Sequence, residues 1–200
     1  MKLIVITDPE FLEGEAEACT ALLEAGCWRL HIRKPHADDH AVASLIESIP
    51  ERHYPAISLH DSYGLAVRYR IGGIHLNGRN TWQRTDGDGL IYSRSCHTLQ
   101  ELLDSRNSFG YMFLSPVFDS ISKQGYLSAF PESDLLRARE AGTVDAKVIA
   151  LGGVTPSGLP LLYRCGFGGA AVLGYIWEEF KKDRDVRALL SRFDELKRPD

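Results

Sequence analysis

The sequence predicts an α/β fold, a parallel eight-stranded (β/α)8 barrel, in a single domain spanning residues 1–200. Three observations carry this expectation. Eight short apolar runs recur along the chain. Stretches with apolar residues at three- and four-residue spacing separate most of them. The polar and glycine residues able to do chemistry gather where the runs end. Alternating strands and helices imply right-handed parallel crossovers, and eight units in 200 residues suit a closed barrel better than a doubly wound open sheet, the runner-up.

The runs follow in order. LIVIT at 3–7 comes first, and the helix-like PEFLEGEAEACTALLEAG follows it. WRLHIR at 28–33 is the second run, AISLH at 56–60 the third with DSYGLAVRYR behind it, and GIHL at 73–76 the fourth. Residues 77–89, NGRNTWQRTDGDG, carry turn residues instead of helical periodicity, so the fourth helix is expected to be short or absent. LIYSRS at 90–95 precedes TLQELLDS, YMFLSP at 111–116 precedes PESDLLRAREAG, and KVIALGG at 147–153 precedes PSGLPLLYRCG. AAVLG at 170–174 is the eighth run, and the terminal DRDVRALLSRFDELKRPD reads as an amphipathic helix packed outside the barrel. Several of the helix-like stretches close on glycine, which accepts the left-handed conformation beyond a helix end.

Composition narrows the functional classes. A hydrophobic content of 44% supports a substantial core. A net charge of -4 with scattered Lys and Arg argues against nucleic-acid binding. The first apolar run is too short for a signal segment or a membrane span, so a cytoplasmic location without membrane association is expected. Cys19, Cys27, Cys96 and Cys165 are spread out with no CxxC pairing, which predicts four small buried hydrophobes and no disulfide framework or zinc site.

In a barrel of this kind, chemistry sits where strands end and the following loops begin. His31 and Arg33 end the second strand, His60 and Asp61 the third, and His75 and Asn80 follow from the fourth. Ser95 and His97 end the fifth. Arg33, a cation at the mouth, needs an anionic partner to offset its desolvation. Asp61 suits a magnesium ion shared with a substrate phosphate, or equally a helix cap. His75, flanked by apolar residues, is expected to be buried and hydrogen-bonded. His31 and His60 are open to structural or functional roles. After the sixth strand, SPVFDSISKQGY at 115–126 places Ser120, Ser122 and Lys123 within four residues, a donor-rich composition suited to phosphate oxygens, or to a solvated loop. Gly152 and Gly153 after the seventh strand, and Gly174 after the eighth, let backbone N–H groups approach phosphate, although tight turns also use such glycines.

The ordered set HIR, HD, GIHL, SCHT, SPVFDSISK, ALGG and AAVLG resembles the thiamine-phosphate synthase and thiazole tautomerase superfamily along essentially the whole chain. The resemblance implies a barrel whose mouth binds phosphorylated thiamine precursors. In the synthases a hydroxymethylpyrimidine diphosphate loses diphosphate with magnesium help, and the nitrogen of a thiazole phosphate captures the carbocation. By this resemblance Arg33, Asp61, Ser95 and Lys123 fall on diphosphate or metal positions. Ser120 and Ser122 match two threonines beside the lysine. Gly152, Gly153 and Gly174 match the cradle for the thiazole phosphate.

The chain departs from the synthase pattern at identifiable places. That pattern reads Gln-x-Arg-x-Lys at strand two, where this chain has His31-Ile32-Arg33-Lys34-Pro35. Lys34 is adjacent to the missing cation but points to the opposite side if the strand continues. Asn80 stands at the position of a metal carboxylate, His60 replaces an asparagine, and Gly174 replaces a serine. The tautomerase branch shares His-Ile-Arg and Arg-Ser-x-His, yet its acid/base histidine corresponds to Pro116 here. The expected function is synthase-like transfer. Alternatives are a metal-independent proton-transfer enzyme and a phosphate-ligand-binding barrel without turnover.

Overall fold

A computed structural model of the chain describes residues 1–78, 87–118 and 130–198. Eight strands, β1 (Lys2–Ile6), β2 (Arg29–Ile32), β3 (Ile57–Leu59), β4 (Gly73–Leu76), β5 (Ile91–Cys96), β6 (Tyr111–Leu114), β7 (Val148–Leu151) and β8 (Gly169–Val172), close into one parallel barrel in sequence order. Closure is made by β1 and β8, with Leu3 opposite Ala170 and Val5 opposite Val172. The helices on the outside are α1 (Glu15–Glu24), α2 (Asp39–Glu47), α3 (Gly64–Arg68), α4 (Leu99–Ser105), α5 (Glu132–Glu140), α6 (Leu159–Arg164), α7 (Gly174–Asp183) and α8 (Val186–Glu195). Among the described residues no helix joins β4 to β5; the expectation of a short or absent helix there falls mostly on residues 79–86, which lie outside the described set.

Strand alternation sorts the core into two layers. Leu3, Val5, Leu30, Ile32, Ile57, Leu59 and Ile74 point outward and pack under the helices. Ile4, Ile6, Tyr111, Phe113, Ile149 and Ala171 point inward and fill the barrel on its β1, β6, β7 and β8 side. The opposite side of the interior is polar, with Arg29 and His31 from β2, Ser58 from β3, His75 from β4 and Ser93 from β5 all buried. This split is what gives the barrel a chemical side.

Helix boundaries correct the pattern-based expectation most at α1, while DSYGLAVRYR is helical only over Gly64–Arg68. The stretch expected to be helical from Pro9 becomes α1 only at Glu15, after Gly14 at φ +73° turns the chain. Elsewhere local signals suffice: Asp38 caps α2 by accepting from Ala41 N–H at 2.8 Å, and Thr98 caps α4 by accepting from Glu101 N–H at 3.1 Å. The terminal helix α8 packs Leu189 and Phe193 inward and lies against α7 and α1, as its amphipathic pattern predicts. No helix among the described residues is long and apolar enough to cross a membrane. All four cysteines are buried and free, as expected.

Candidate active site

Two adjoining cavities open at the C-terminal ends of the strands. The smaller, about 300 Å³, is lined by Asp8, Arg33, Gly152, Gly153, Gly174 and Lys181 among others. The larger, about 790 Å³, takes in Arg33, His60, His75, Asn77, Ser95 and His97. Arg33, Leu151 and Leu173 border both, so the two form one mouth with two compartments. Five residues expected from sequence are thereby brought to the mouth around Arg33: Gly152, Gly153 and Gly174 on one side, His60 and Ser95 on the other. Asn80, Ser120, Ser122 and Lys123 lie outside the described residues.

The smaller compartment has the construction of an anion cradle. Gly152 and Gly153 adopt φ of +94° and +62°, a region that side chains with a Cβ enter only with strain. A Cβ on Gly152 would also lie 2.9 Å from the Cα of Pro116, so the β7 loop fits against the β6 loop only with glycine there. Gly174 begins α7, and Gly174 and Tyr175 line the same cavity at the end of the helix that carries the positive pole of its dipole. Trp177, fully buried, donates from Nε1 to the carbonyl of Ile6 at 2.8 Å and so holds α7 against β1. Lys181, one turn further along α7, sits 2.7 Å from the buried carboxylate of Asp8.

Arg33 is positioned from the backbone. Its N–H donates at 2.9 Å to the hydroxyl of Thr7, a buried residue just past β1. Lys34 turns the other way, as strand alternation predicts. Its ammonium is buried, 2.7 and 2.8 Å from the two carboxylate oxygens of Glu15 on α1, and donates also to the carbonyls of Asp8 and Glu10 at 2.8 and 2.7 Å. With its donors committed there, Lys34 does not stand in for a second cation at the mouth. Asp61 is half-buried just beyond β3. The N-cap position of α3 is Tyr63, two residues beyond Asp61.

The floor of the larger compartment is a cluster of imidazoles. His31 Nδ1 is hydrogen-bonded to His60 Nε2 at 2.8 Å, and His31 Nε2 to the Tyr111 hydroxyl at 2.5 Å. His75 is held on both nitrogens, by Ser93 Oγ at 2.9 Å and Ser95 Oγ at 3.1 Å, and its ring stacks on that of His60 at 4.1 Å. Burial pushes His31 well below the usual histidine range, and His75 and the Arg29 guanidinium push in the same direction, so His31 is neutral. Burial raises the Tyr111 phenol, with Arg29 opposing the rise. His31 is thus placed beneath the cavity, where it supports His60 and does not form the wall; His75 has the buried, hydrogen-bonded character expected of it.

Several mouth residues carried no sequence signal of their own. Asp8 and Lys181 meet only because α7 returns to the end of β1. Asn77 donates from Nδ2 to the His60 carbonyl and to the Tyr63 hydroxyl, tying the β3 and β4 loops. His97, named from sequence at the end of the fifth strand and exposed, donates from Nδ1 to the Ser115 carbonyl at 2.9 Å and links the β5 and β6 loops.

Comparison with known proteins agrees with this geometry. The family model described as thiamine monophosphate synthase matches residues 3–176. The thiamine-phosphate synthase of Lactiplantibacillus plantarum is 28% identical over 155 residues, covering 74% of this chain and 69% of that protein. The thiamine-phosphate synthase of Erythrobacter litoralis is 28% identical over 196 residues, covering 94% of this chain and 87% of that protein. Among solved structures, thiamine phosphate pyrophosphorylase from Bacteroides thetaiotaomicron superposes with a TM-score of 0.89 at 35% identity, covering 98% of this chain and 96% of that one. With a family match over most of its length and a close structural match over nearly all of it, the chain belongs to the thiamine monophosphate synthase family.

Proposed function

We propose that this chain is a thiamine-phosphate synthase-type transferase that joins hydroxymethylpyrimidine diphosphate to a thiazole phosphate and releases diphosphate. The observation that carries the reading is the two-compartment mouth sharing Arg33, one compartment an anion cradle and the other polar. The thiazole phosphate belongs in the cradle of Gly152, Gly153 and the α7 N-terminus. The pyrimidine diphosphate belongs in the larger compartment, with Ser95 as a hydroxyl donor and Ser120 and Ser122 as further donors. The bond from the pyrimidine methylene carbon to the diphosphate oxygen breaks, and the thiazole nitrogen lends its electron pair to that carbon. Arg33 and Lys123 stabilise the charge that accumulates on the departing diphosphate, so the chain supplies positioning and electrostatics and no nucleophile.

Asp61 and Asn80 offer hard oxygen donors, a carboxylate and an amide, a set that suits magnesium when substrate phosphates complete its shell. When bound, the ion screens the diphosphate charge. The proton-transfer alternative finds no acid or base at Pro116, which is packed against Gly152.

The test is to incubate the chain with both precursors, with and without magnesium, and to measure thiamine phosphate. Magnesium-dependent product is expected, and Lys123→Ala should lower kcat/KM at least ~10-fold, the loss of one charged contact. Absence of product from a preparation that still binds the thiazole phosphate would leave a binding barrel without turnover.

A further inference from the structure

The transfer chemistry does not need the imidazole cluster, and neither His31 nor His60 belongs to the synthase pattern, which has a glutamine and an asparagine at those positions. The geometry of the cluster has a direction. One nitrogen of His31 is held from outside the cluster by the Tyr111 hydroxyl at 2.5 Å, and one nitrogen of His75 by Ser93 Oγ at 2.9 Å. His31 Nδ1 is thereby directed at His60 Nε2, while His75 Nε2, at the edge of the larger cavity, is bonded to Ser95 Oγ at 3.1 Å. One ligand atom from each of the three histidines can be chosen so that all lie within 4.8 Å of each other. Metal-bound histidines are oriented in this way, with the far nitrogen fixed by a second partner.

We propose that His31, His60 and His75 form a three-histidine site for a divalent transition-metal ion of the zinc class, with its fourth position open to the larger cavity.

The chemistry of the donors selects the ion. Three neutral imidazoles suit zinc or cobalt, whereas magnesium prefers an octahedral shell of oxygens. His31 is already held neutral by burial and by Arg29, which is the form that ligates. His31 Nδ1 and His60 Nε2, 2.8 Å apart, now share a proton, and the ion would take its place. Metal–nitrogen bonds of about 2.0–2.1 Å in a tetrahedral site set neighbouring nitrogens roughly 3.3 Å apart, so the His31–His60 contact opens slightly. The stacked rings of His60 and His75 must turn out of parallel, and His75 must release Ser95. Both rings border the larger cavity, which gives room for that turn and leaves the fourth position for water or an anionic oxygen.

The inference is independent of the transferase reading, and its test reads metal binding, not turnover. The full chain, treated with EDTA and exchanged into chelator-free buffer, is titrated with cobalt, followed by visible absorption, and then with zinc, followed by calorimetry. Expected are one equivalent of tetrahedral cobalt, its displacement by zinc, and a zinc Kd of ~1 µM or tighter. His31→Gln, His60→Asn and His75→Asn are measured separately, and any variant whose circular dichroism matches the parent should bind at least ~10-fold more weakly. Asp61→Asn should leave the affinity unchanged. A zinc Kd weaker than ~100 µM, cysteine-type charge-transfer bands, retained affinity in a folded histidine variant, or loss in Asp61→Asn would overturn the site.

Discussion

Lys34→Met tests the element that fixes the β2 loop and hence Arg33. Lys34 is 1% exposed and Glu15 2% exposed, and the ammonium meets the carboxylate at 2.7 Å. The substitution keeps most of the side-chain volume but strands the Glu15 carboxylate, whose remaining donor among the described residues is the N–H of Leu12 at 3.4 Å. It also removes the donor to the carbonyls of Asp8 and Glu10. Breaking a buried pair by removing one partner costs about 3–5 kcal/mol. At about 2–4 °C per kcal/mol for a chain of this size, Tm should fall by roughly 6–20 °C.

The loss should also depend on pH. Burial raises the Glu15 carboxyl from its ordinary value of 4.5, while Lys34 opposes that rise. Without Lys34 the folded-state value climbs further above the unfolded one. Between the two values the folded chain holds more protons than the unfolded chain, so stability falls as pH rises through that window. The Tm deficit measured by differential scanning calorimetry is therefore smaller at about pH 5 than at about pH 8. Adding Glu15→Gln should recover part of the loss and remove its pH dependence, since contacting residues couple. A deficit below about 2 °C, or one equal at both pH values, would refute the argument.

Two further outcomes follow from local geometry. Gly152→Ala should destabilise the fold by about 1–3 kcal/mol and weaken thiazole-phosphate binding, because the new Cβ meets both a left-handed backbone and Pro116. Gly26→Ala is the comparison, with φ +92° but nothing within 4 Å of the added Cβ; equal losses in the two variants would show that the Pro116 contact contributes nothing. All four cysteines should resist Ellman's reagent in the folded chain, since each is buried and the Cys27 thiol is pushed up to about 12. Labelling of even one thiol at the rate seen after unfolding would contradict the packing described.

What was legible in the sequence was local. Each of the eight apolar runs overlaps a strand, because the outward face of every strand packs under the helices and must be apolar, whether the inward face carries apolar or polar side chains. Glycines at the ends of β7 and β8 and the polar residues just past each strand were visible for the same reason, since the chain itself places them at one end of a parallel barrel. The failure at α1 was also local: apolar spacing from Pro9 onward did not show that Gly14 delays the helix to Glu15.

Partnerships across the barrel were decided only by tertiary structure. His31 and His60 are 29 residues apart and His31 and Tyr111 80 apart, yet all three meet on the barrel interior. Their contact depends on register, with His31 opposite Ser58 on β3 and His75 opposite Ser93 on β5. A one-residue slip in any strand would turn these side chains into the helix layer. Lys34 was predicted to face away from the mouth, but its partner, Glu15 at the start of α1, follows from how α1 packs beside β2. Sequence periodicity specifies which way each side chain faces; closure of the sheet specifies what it faces, because strand register is a property of the whole barrel and of no single segment.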